Sequence, residues 1–168
     1  MAYTVILEDA DSYISHLDDA VDLVDDPLFK NRYIGFLCVT AVTFFEEAFK
    51  DIVIEFAKKK HPVFGVHIES SYDRLNGRIS LSEIRKSHVI RFGEKYKKRF
   101  DSFLEIEEKS SLGSGGGSIK SSYGNILTWR NNFVHGGNVP SNASYDEART
   151  AYNRSKTVFI CLDRALKR

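Results

Sequence analysis

The segment of residues 29–60 constrains the fold more than any other part of the chain. Between Tyr33 and Phe45 nearly every position is apolar, so a helix here would be hydrophobic on all sides. Such a helix lies in the interior and is covered by other elements. The apolar run is only about a dozen residues, too short to span a bilayer, and it therefore predicts the central helix of a bundle with no membrane partner.

Apolar residues recur with helical spacing on both sides of this segment. The segments with this pattern are 9–25, 29–60, 81–109, 119–135 and the stretch that follows Ser144. No segment alternates apolar and polar residues as a half-buried strand does. The sequence predicts one all-α domain over residues 1–168, a bundle of about five helices.

Helix boundaries follow from the residues that break or cap the pattern. Asp25-Asp26-Pro27 ends the first helix and begins the second, with proline in the first turn. Residues 61–80 contain proline and glycine breaks and are predicted to form an irregular connection or a short turn of helix, and Gly93 is expected to bend or divide the segment 81–109. The glycine- and serine-rich stretch 110–118 is predicted to be a flexible loop, and Gly136 the left-handed residue after a helix.

The cysteines and the N-terminus point to one compartment. Cys38 and Cys161 lie within apolar helical runs, so we expect reduced core residues, as is usual in the cytoplasm. The N-terminus MAYTVILEDADSY lacks the basic region of a signal peptide. The five histidines are scattered without ligand spacing, and we expect no metal site and no cofactor.

Charge is distributed unevenly along the chain. The first 26 residues hold eight of the 23 acidic residues and no lysine or arginine, so the remainder carries an excess of nine positive charges. A body that basic can attract nucleic-acid phosphates. Alternatively, the acidic helix docks on basic neighbours or faces water, and charge alone leaves both interpretations open.

The octapeptide RNNFVHGG (130–137) ends the predicted helix of residues 119–135 and places an arginine in line with its apolar stripe. Arginine is almost never fully buried without a partner. A guanidinium at such a position is expected to point into a cleft or a subunit seam, where an anion can pair with it. The stripe comprises Tyr123, Ile126, Leu127, Arg130, Phe133 and Val134.

Helix geometry determines which residues of this motif share a face. Arg130 and His135 are separated by about 7.5 Å of rise and roughly 140° of rotation, so they do not stack. Asn131 and His135 are four residues apart and share a face. A phosphate beside this helix end could meet a guanidinium, an amide and an imidazole together.

The motif on the penultimate helix of a short all-α chain resembles the HEPN superfamily, whose pattern is Arg, a polar residue that is often Asn, a few more residues, then His. Among its branches the chain is most similar to the RiboL-PSP-HEPN-like and related toxin or defence proteins. Arg130, Asn131 and His135 match the pattern residue by residue.

The resemblance implies a metal-independent endoribonuclease that works as a homodimer, with motifs of both subunits lining one cleft. It implies a toxin or antiphage-defence effector, with a possible cognate antitoxin or regulatory protein as partner. Some branches add an acidic residue from an earlier helix, for which Glu46 and Glu47 are the candidates. Other HEPN domains are inactive and act as binding modules.

The chemistry of the residues agrees with cleavage of RNA, because RNA carries its own nucleophile, the 2′-OH. Histidine exchanges protons near neutral pH, and arginine binds two phosphate oxygens and stabilises the added negative charge of the transition state. DNA lacks the 2′-OH and should resist this route. The alternative is a non-catalytic helical interaction or RNA-binding module, in which Arg130 makes an interface ion pair and His135 caps a helix.

Weaker candidates for RNA contact are two aromatic residues and one basic run. Trp129 and Tyr123 could stack on bases, although aromatic residues on a helix are more often core residues. The run KYKKR includes Lys97, Lys98 and Arg99, which could bind the RNA backbone or simply face solvent.

Overall fold

The computed structural model describes residues 2–73, 75, 77–140 and 143–167. Within these residues the chain is all-α, as predicted, with seven α-helices and no strand. A π-helical turn (Ile84–His88) and a 3₁₀ turn (Val89–Phe92) follow the fourth helix. The helices are α1 (Ala2–Asp22), α2 (Pro27–Lys60), α3 (Pro62–Ser71), α4 (Leu81–Glu83), α5 (Glu94–Gly113), α6 (Ile119–Gly136) and α7 (Tyr145–Leu166).

The second helix is the central element, as its apolar sequence predicts. It packs against α1, α3, α6 and α7, and Phe45 and Phe49 on it are fully buried. Asp26 caps its N-terminus by accepting a hydrogen bond from the Leu28 N–H at 2.8 Å, and Pro27 occupies the first helical position. Among the described residues, no helix combines the length and apolar character that crossing a bilayer requires.

The structure contains more helices than the five expected, because one predicted connection is helical and one predicted helical segment is divided. Residues Pro62–Ser71 form α3, where an irregular connection or a short turn of helix was predicted. Pro62 begins this helix instead of breaking one, since the N–H that proline lacks has no helical partner at that position. Gly93 separates α4 and its two following turns from α5 with a φ of 120°, where the sequence indicated one bent or divided helix.

The first helix begins before its predicted range of 9–25 and ends earlier than predicted, at Asp22, and part of its acidic surface takes part in packing. It begins at Ala2, with Tyr3 buried. The Asp11 carboxylate accepts hydrogen bonds from the Lys156 ammonium at 2.8 Å and the Tyr152 hydroxyl at 2.9 Å. Asp18 pairs with Arg149 at 3.0 Å. Of the two interpretations of the acidic first helix, packing against basic neighbours is therefore correct for Asp11 and Asp18.

The predicted flexible loop at 110–118 is shorter and more constrained than expected. The fifth helix continues to Gly113, and Ser118 is the N-cap of α6. The buried Glu108 carboxylate accepts hydrogen bonds from the Ser118 hydroxyl at 2.5 Å and from the Ile119 N–H at 2.8 Å. An anion beside the first N–H groups of a helix is stabilising, so Glu108 ties the end of α5 to the start of α6.

Both cysteines lie unpaired in the core, as predicted. Burial raises the pKa of the Cys38 thiol to about 12 and that of the Cys161 thiol to about 11. A thiol with such a pKa stays protonated at neutral pH, and both residues therefore serve as small apolar packing groups.

Candidate functional site

The motif lies in the last two turns of α6. This helix is anchored by Tyr123 and Ile126, which are fully buried. The last helical residue is Gly136, and Gly137 follows it with a left-handed φ of +64°. The prediction that Gly136 has the left-handed conformation is therefore wrong by one residue. Gly137 rather than Gly136 is suited to this role because the left-handed turn comes one residue after the helix.

The half-buried Arg130 side chain faces α2 and the connection that follows α3. Its Nη1 donates a hydrogen bond to the Asn131 Oδ1 at 3.0 Å. A Cβ added to Gly77 would lie 3.5 Å from Arg130 Nη1 and 3.7 Å from Glu46 Oε1. The guanidinium and the Glu46 carboxylate therefore both lie beside Gly77, which has a φ of +77°.

Of the two acidic candidates, the structure brings Glu46 to the motif and not Glu47. Burial raises the pKa of the Glu46 carboxyl, against the opposing effects of Arg130, of Lys50 and of a hydrogen bond from the Gly77 backbone N–H. Glu47 is exposed and forms an ion pair with Lys50 at 3.0 Å. Residues 46 and 47 differ by about 100° around the helix axis, so only one of them can face Arg130.

The connection that carries Gly77 is held in place from two further directions. The Tyr123 hydroxyl donates a hydrogen bond to the Ile79 carbonyl at 2.6 Å. The His88 Nε2–H donates to the Arg78 carbonyl at 2.7 Å. The sequence does not indicate that this connection lies beside Arg130. The Asn-Gly pair at 76–77 marks a turn but does not indicate what the turn will cover.

We expect His88 to make the stability of this part of the fold dependent on pH. Its Nδ1 accepts a hydrogen bond from the Tyr72 hydroxyl at 3.1 Å, and burial lowers the pKa of its imidazole below the ordinary 6.5. Below pH 6.5 the unfolded chain therefore binds more protons at this residue than the folded chain does. The free energy of unfolding should decrease as the pH falls through this range.

Urea unfolding of the wild type at pH 5 and pH 7.5 measures this dependence, and the variant His88→Gln should lose part of it. The variant His16→Gln is the control, because His16 is exposed on α1. A His88→Gln protein with the full pH dependence of the wild type would contradict the assignment.

His135 lies in the last turn of α6 and is exposed, as is Asn131. No hydrogen bond joins its imidazole to any of the described residues. Because α6 is regular from residue 119 to 136, the rotation of roughly 140° between Arg130 and His135 holds in the structure. Within one chain the guanidinium thus faces the bundle while the imidazole faces away from it.

The two aromatic candidates for RNA contact differ in their exposure to solvent. The prediction that Tyr123 stacks on a base is wrong, because its ring is fully buried against Phe45. Trp129 is half-buried and lines a groove between α6 and α7.

The basic run of α5 is partly occupied by intramolecular partners. Lys97 forms an ion pair with Glu94 at 3.2 Å. The Arg99 guanidinium donates a hydrogen bond to the Arg164 carbonyl at 3.1 Å. Lys98 is exposed. None of the described contacts links these three residues to Arg130 or His135, so their role in binding RNA stays a prediction.

Comparison with known families agrees with the resemblance that the motif indicates. The model of the RiboL-PSP-HEPN family matches residues 5–168 and so includes every residue of the candidate site. The chain belongs to the RiboL-PSP-HEPN family. Neither the curated proteins nor the solved structures gave a match. As a HEPN domain the chain has a nuclease-type fold, and its all-α architecture is the one expected of the family.

Proposed function

We propose that this HEPN protein is a metal-independent endoribonuclease that acts as a toxin or antiphage-defence effector. The observation that carries the proposal is the position of Arg130. Its guanidinium is half-buried between α2 and α6, is oriented by Asn131, and belongs to the same helix end as the exposed His135. Arginine and histidine at one helix end supply a phosphate-binding cation and a proton carrier.

The reaction requires charge stabilisation and proton transfer but no nucleophile from the protein. The RNA 2′-oxygen attacks the adjacent phosphorus, the bond from phosphorus to the 5′-oxygen breaks, and that oxygen leaves with a proton. Arg130 stabilises the negative charge that develops on the phosphate, and His135 moves the protons. Asn131 orients the guanidinium through the hydrogen bond of 3.0 Å, and Glu46 holds Gly77 beside it.

A second copy of the chain is proposed to complete the site. Arg130 and His135 point away from each other in one subunit, so a phosphate that contacts both side chains is best placed at a two-fold seam. Exposed apolar residues adjoin the motif and suit such a seam. Phe29 and Phe36 lie one above the other on α2, and the Phe36 ring contacts the Phe133 ring edge-on at 5.4 Å.

Introducing a charge into the exposed apolar surface formed by Phe29 and Phe36 should dissociate the dimer. Phe29 is 54% exposed, so Phe29→Glu is compatible with the fold of one subunit but would bury a carboxylate in the proposed seam. We expect wild type to be a dimer and Phe29→Glu a monomer in light scattering at tens of micromolar, with ribonuclease activity lost in parallel.

The matched control is Ile106→Glu, because Ile106 is 56% exposed on α5, outside the apolar surface of Phe29 and Phe36. This variant should remain a dimer. A wild-type monomer at the same concentration would count against the composite site.

The alternative function is a non-catalytic interaction module. It is favoured by the hydrogen bond from Arg130 to Asn131, because Arg130 already has a partner in Asn131 and a nearby counter-charge in Glu46. In that case Arg130 stabilises the packing of α6 on α2, and His135 contributes only to the helix end.

Incubation of RNA with purified wild-type and His135→Ala proteins in EDTA separates the two functions. Fragments formed by the wild type and absent with the variant would support the ribonuclease, whereas intact RNA with both would favour the interaction module. Expression in cells tests the biological role, since an effector should be toxic as wild type and harmless as His135→Ala.

A further inference from the structure

A groove of about 510 Å³ runs between α6 and α7, on a different side of α6 from Arg130. Its volume lies within the range of small-molecule sites, roughly 300–1,000 Å³. The walls combine one aromatic ring with hydroxyl, amide and charged groups. The lining includes Ser122, Asn125 and Trp129 of α6 and Asp146, Thr150 and Arg154 of α7.

Trp129 provides a flat surface at one end of this groove. The side chain is half-buried, and part of it packs against the core, so the indole is held in place. Another part lines the groove. A fixed and partly exposed aromatic ring is the platform on which nucleic-acid bases stack in proteins that bind single strands.

The polar groups beside Trp129 suit the edge of a base. Asn125 is exposed and its amide can both donate and accept, while the Asp146 carboxylate can only accept. The neighbouring Glu147 is already engaged, because it accepts a hydrogen bond from the Ser144 N–H at 2.7 Å. Carboxylates recognise exocyclic amino groups of bases, such as the N4 amino group of cytosine.

A cation lies at the opposite end of the groove. The Arg154 guanidinium lies against Gly117, where an added Cβ would be 2.8 Å from Nη1. Ser122, which lines the same end, is separated from Trp129 by about 10 Å along the helix axis. The groove therefore has a stacking surface with an acceptor at one end and a guanidinium at the other.

The groove is continuous with the motif along the exposed face of α6. Trp129 directly precedes Arg130 in the chain, and His135 lies about 9 Å further along the axis. The exposed surface between Trp129 and His135 is formed by Thr128 and Asn132, which are polar and uncharged. A single strand can follow these polar side chains from Trp129 toward His135.

We propose that the α6–α7 groove binds single-stranded RNA that flanks the cleaved phosphate, with one base on Trp129 and the backbone running toward Arg154. The Asp146 carboxylate makes the groove prefer a base that carries an exocyclic amino group, such as adenine or cytosine, over uracil, whereas Asn125 can pair with either kind of base edge. The inference rests on the proposed ribonuclease function, since it takes the strand in the groove to be the substrate.

Trp129 is the single tryptophan of the chain, so intrinsic fluorescence reports on the groove directly. We expect saturable quenching when the His135→Ala protein is titrated with eight-nucleotide oligo(C) or oligo(A), and weaker quenching with oligo(U). Because His135→Ala is expected to cleave RNA far more slowly than the wild type, the oligonucleotide stays intact during the titration and the measurement reports binding.

Anisotropy with labelled oligo(C) measures the affinity of variants built on His135→Ala. Trp129→Leu should weaken binding about 10-fold, the usual effect of losing one stacked base, whereas Trp129→Phe should bind nearly as tightly as the parent. Arg154→Ala should weaken binding and reduce its dependence on salt. Tyr13→Leu is the matched control, since Tyr13 is an aromatic residue 62% exposed on α1.

The outcomes distinguish this inference from the proposed function. RNA that binds without quenching Trp129 and without loss on Trp129→Leu or Arg154→Ala overturns the groove, even if the wild type cleaves RNA. Quenching by RNA together with a wild type that does not cleave supports the groove as an RNA site and overturns the ribonuclease. Fluorescence that changes with protein concentration alone would assign the groove to a second copy of the chain and overturn the inference.

Discussion

Replacing His135 with alanine is expected to lower the rate of RNA cleavage by about 10²–10⁴-fold, the usual contribution of a general acid–base group. The imidazole is exposed in the last turn of α6 and bonds to none of the described residues. Its removal therefore takes little packing from the fold, and the melting temperature should stay within the range typical of surface substitutions. The measurement is the initial rate of cleavage together with thermal unfolding of the same preparations.

His67→Ala provides the matched control, because His67 is exposed on a helix outside the motif. This variant should cleave RNA at the wild-type rate. If His135→Ala retained near-normal activity in a preparation free of contaminating nuclease, the proposed site would be wrong. If it lost activity only because it unfolded, the melting temperatures would reveal it.

An RNA with a single 2′-deoxy substitution at the cut site is expected to resist cleavage there completely. The proposed nucleophile is the 2′-oxygen of the nucleotide before the broken bond, and no protein group replaces it. Cleavage of unmodified RNA should leave a 2′,3′-cyclic phosphate and a 5′-hydroxyl. Mass spectrometry of the fragments identifies both ends, and the same oligonucleotide with the 2′-deoxy substitution one nucleotide away is the control.

The same reaction should continue in EDTA, because Arg130 and His135 supply the charge stabilisation and proton transfer that a metal ion provides in other nucleases. In the described part of the chain no three His, Cys, Asp or Glu side chains converge in an arrangement that could hold a metal ion. Loss of cleavage in EDTA, 5′-phosphate ends or cleavage of DNA would each contradict the mechanism and indicate a metal-dependent nuclease.

Local sequence patterns predicted the central helix and the last helix of the bundle. The apolar run of residues 33–45 identified the central helix, and the capping box of Ser144 and Glu147 is present at the start of α7. Such signals act over a few residues, so they are visible in a sequence. Predictions that depended on proline or glycine alone were less successful. Pro62 begins α3, and the glycine-rich loop after α5 is held by Glu108.

The sequence by itself determined the all-α fold class and the spacing of Arg130, Asn131 and His135 on one helix end, because helix geometry depends only on the local backbone. The tertiary structure decided that Glu46 rather than its neighbour faces Arg130, and that Gly77 lies beside both side chains. It also decided that Tyr123 is a core residue and that Trp129 lines a groove. Helical periodicity indicates which side of a helix is covered. Which residue covers it depends on contacts between segments far apart in the chain, and only packing establishes those contacts.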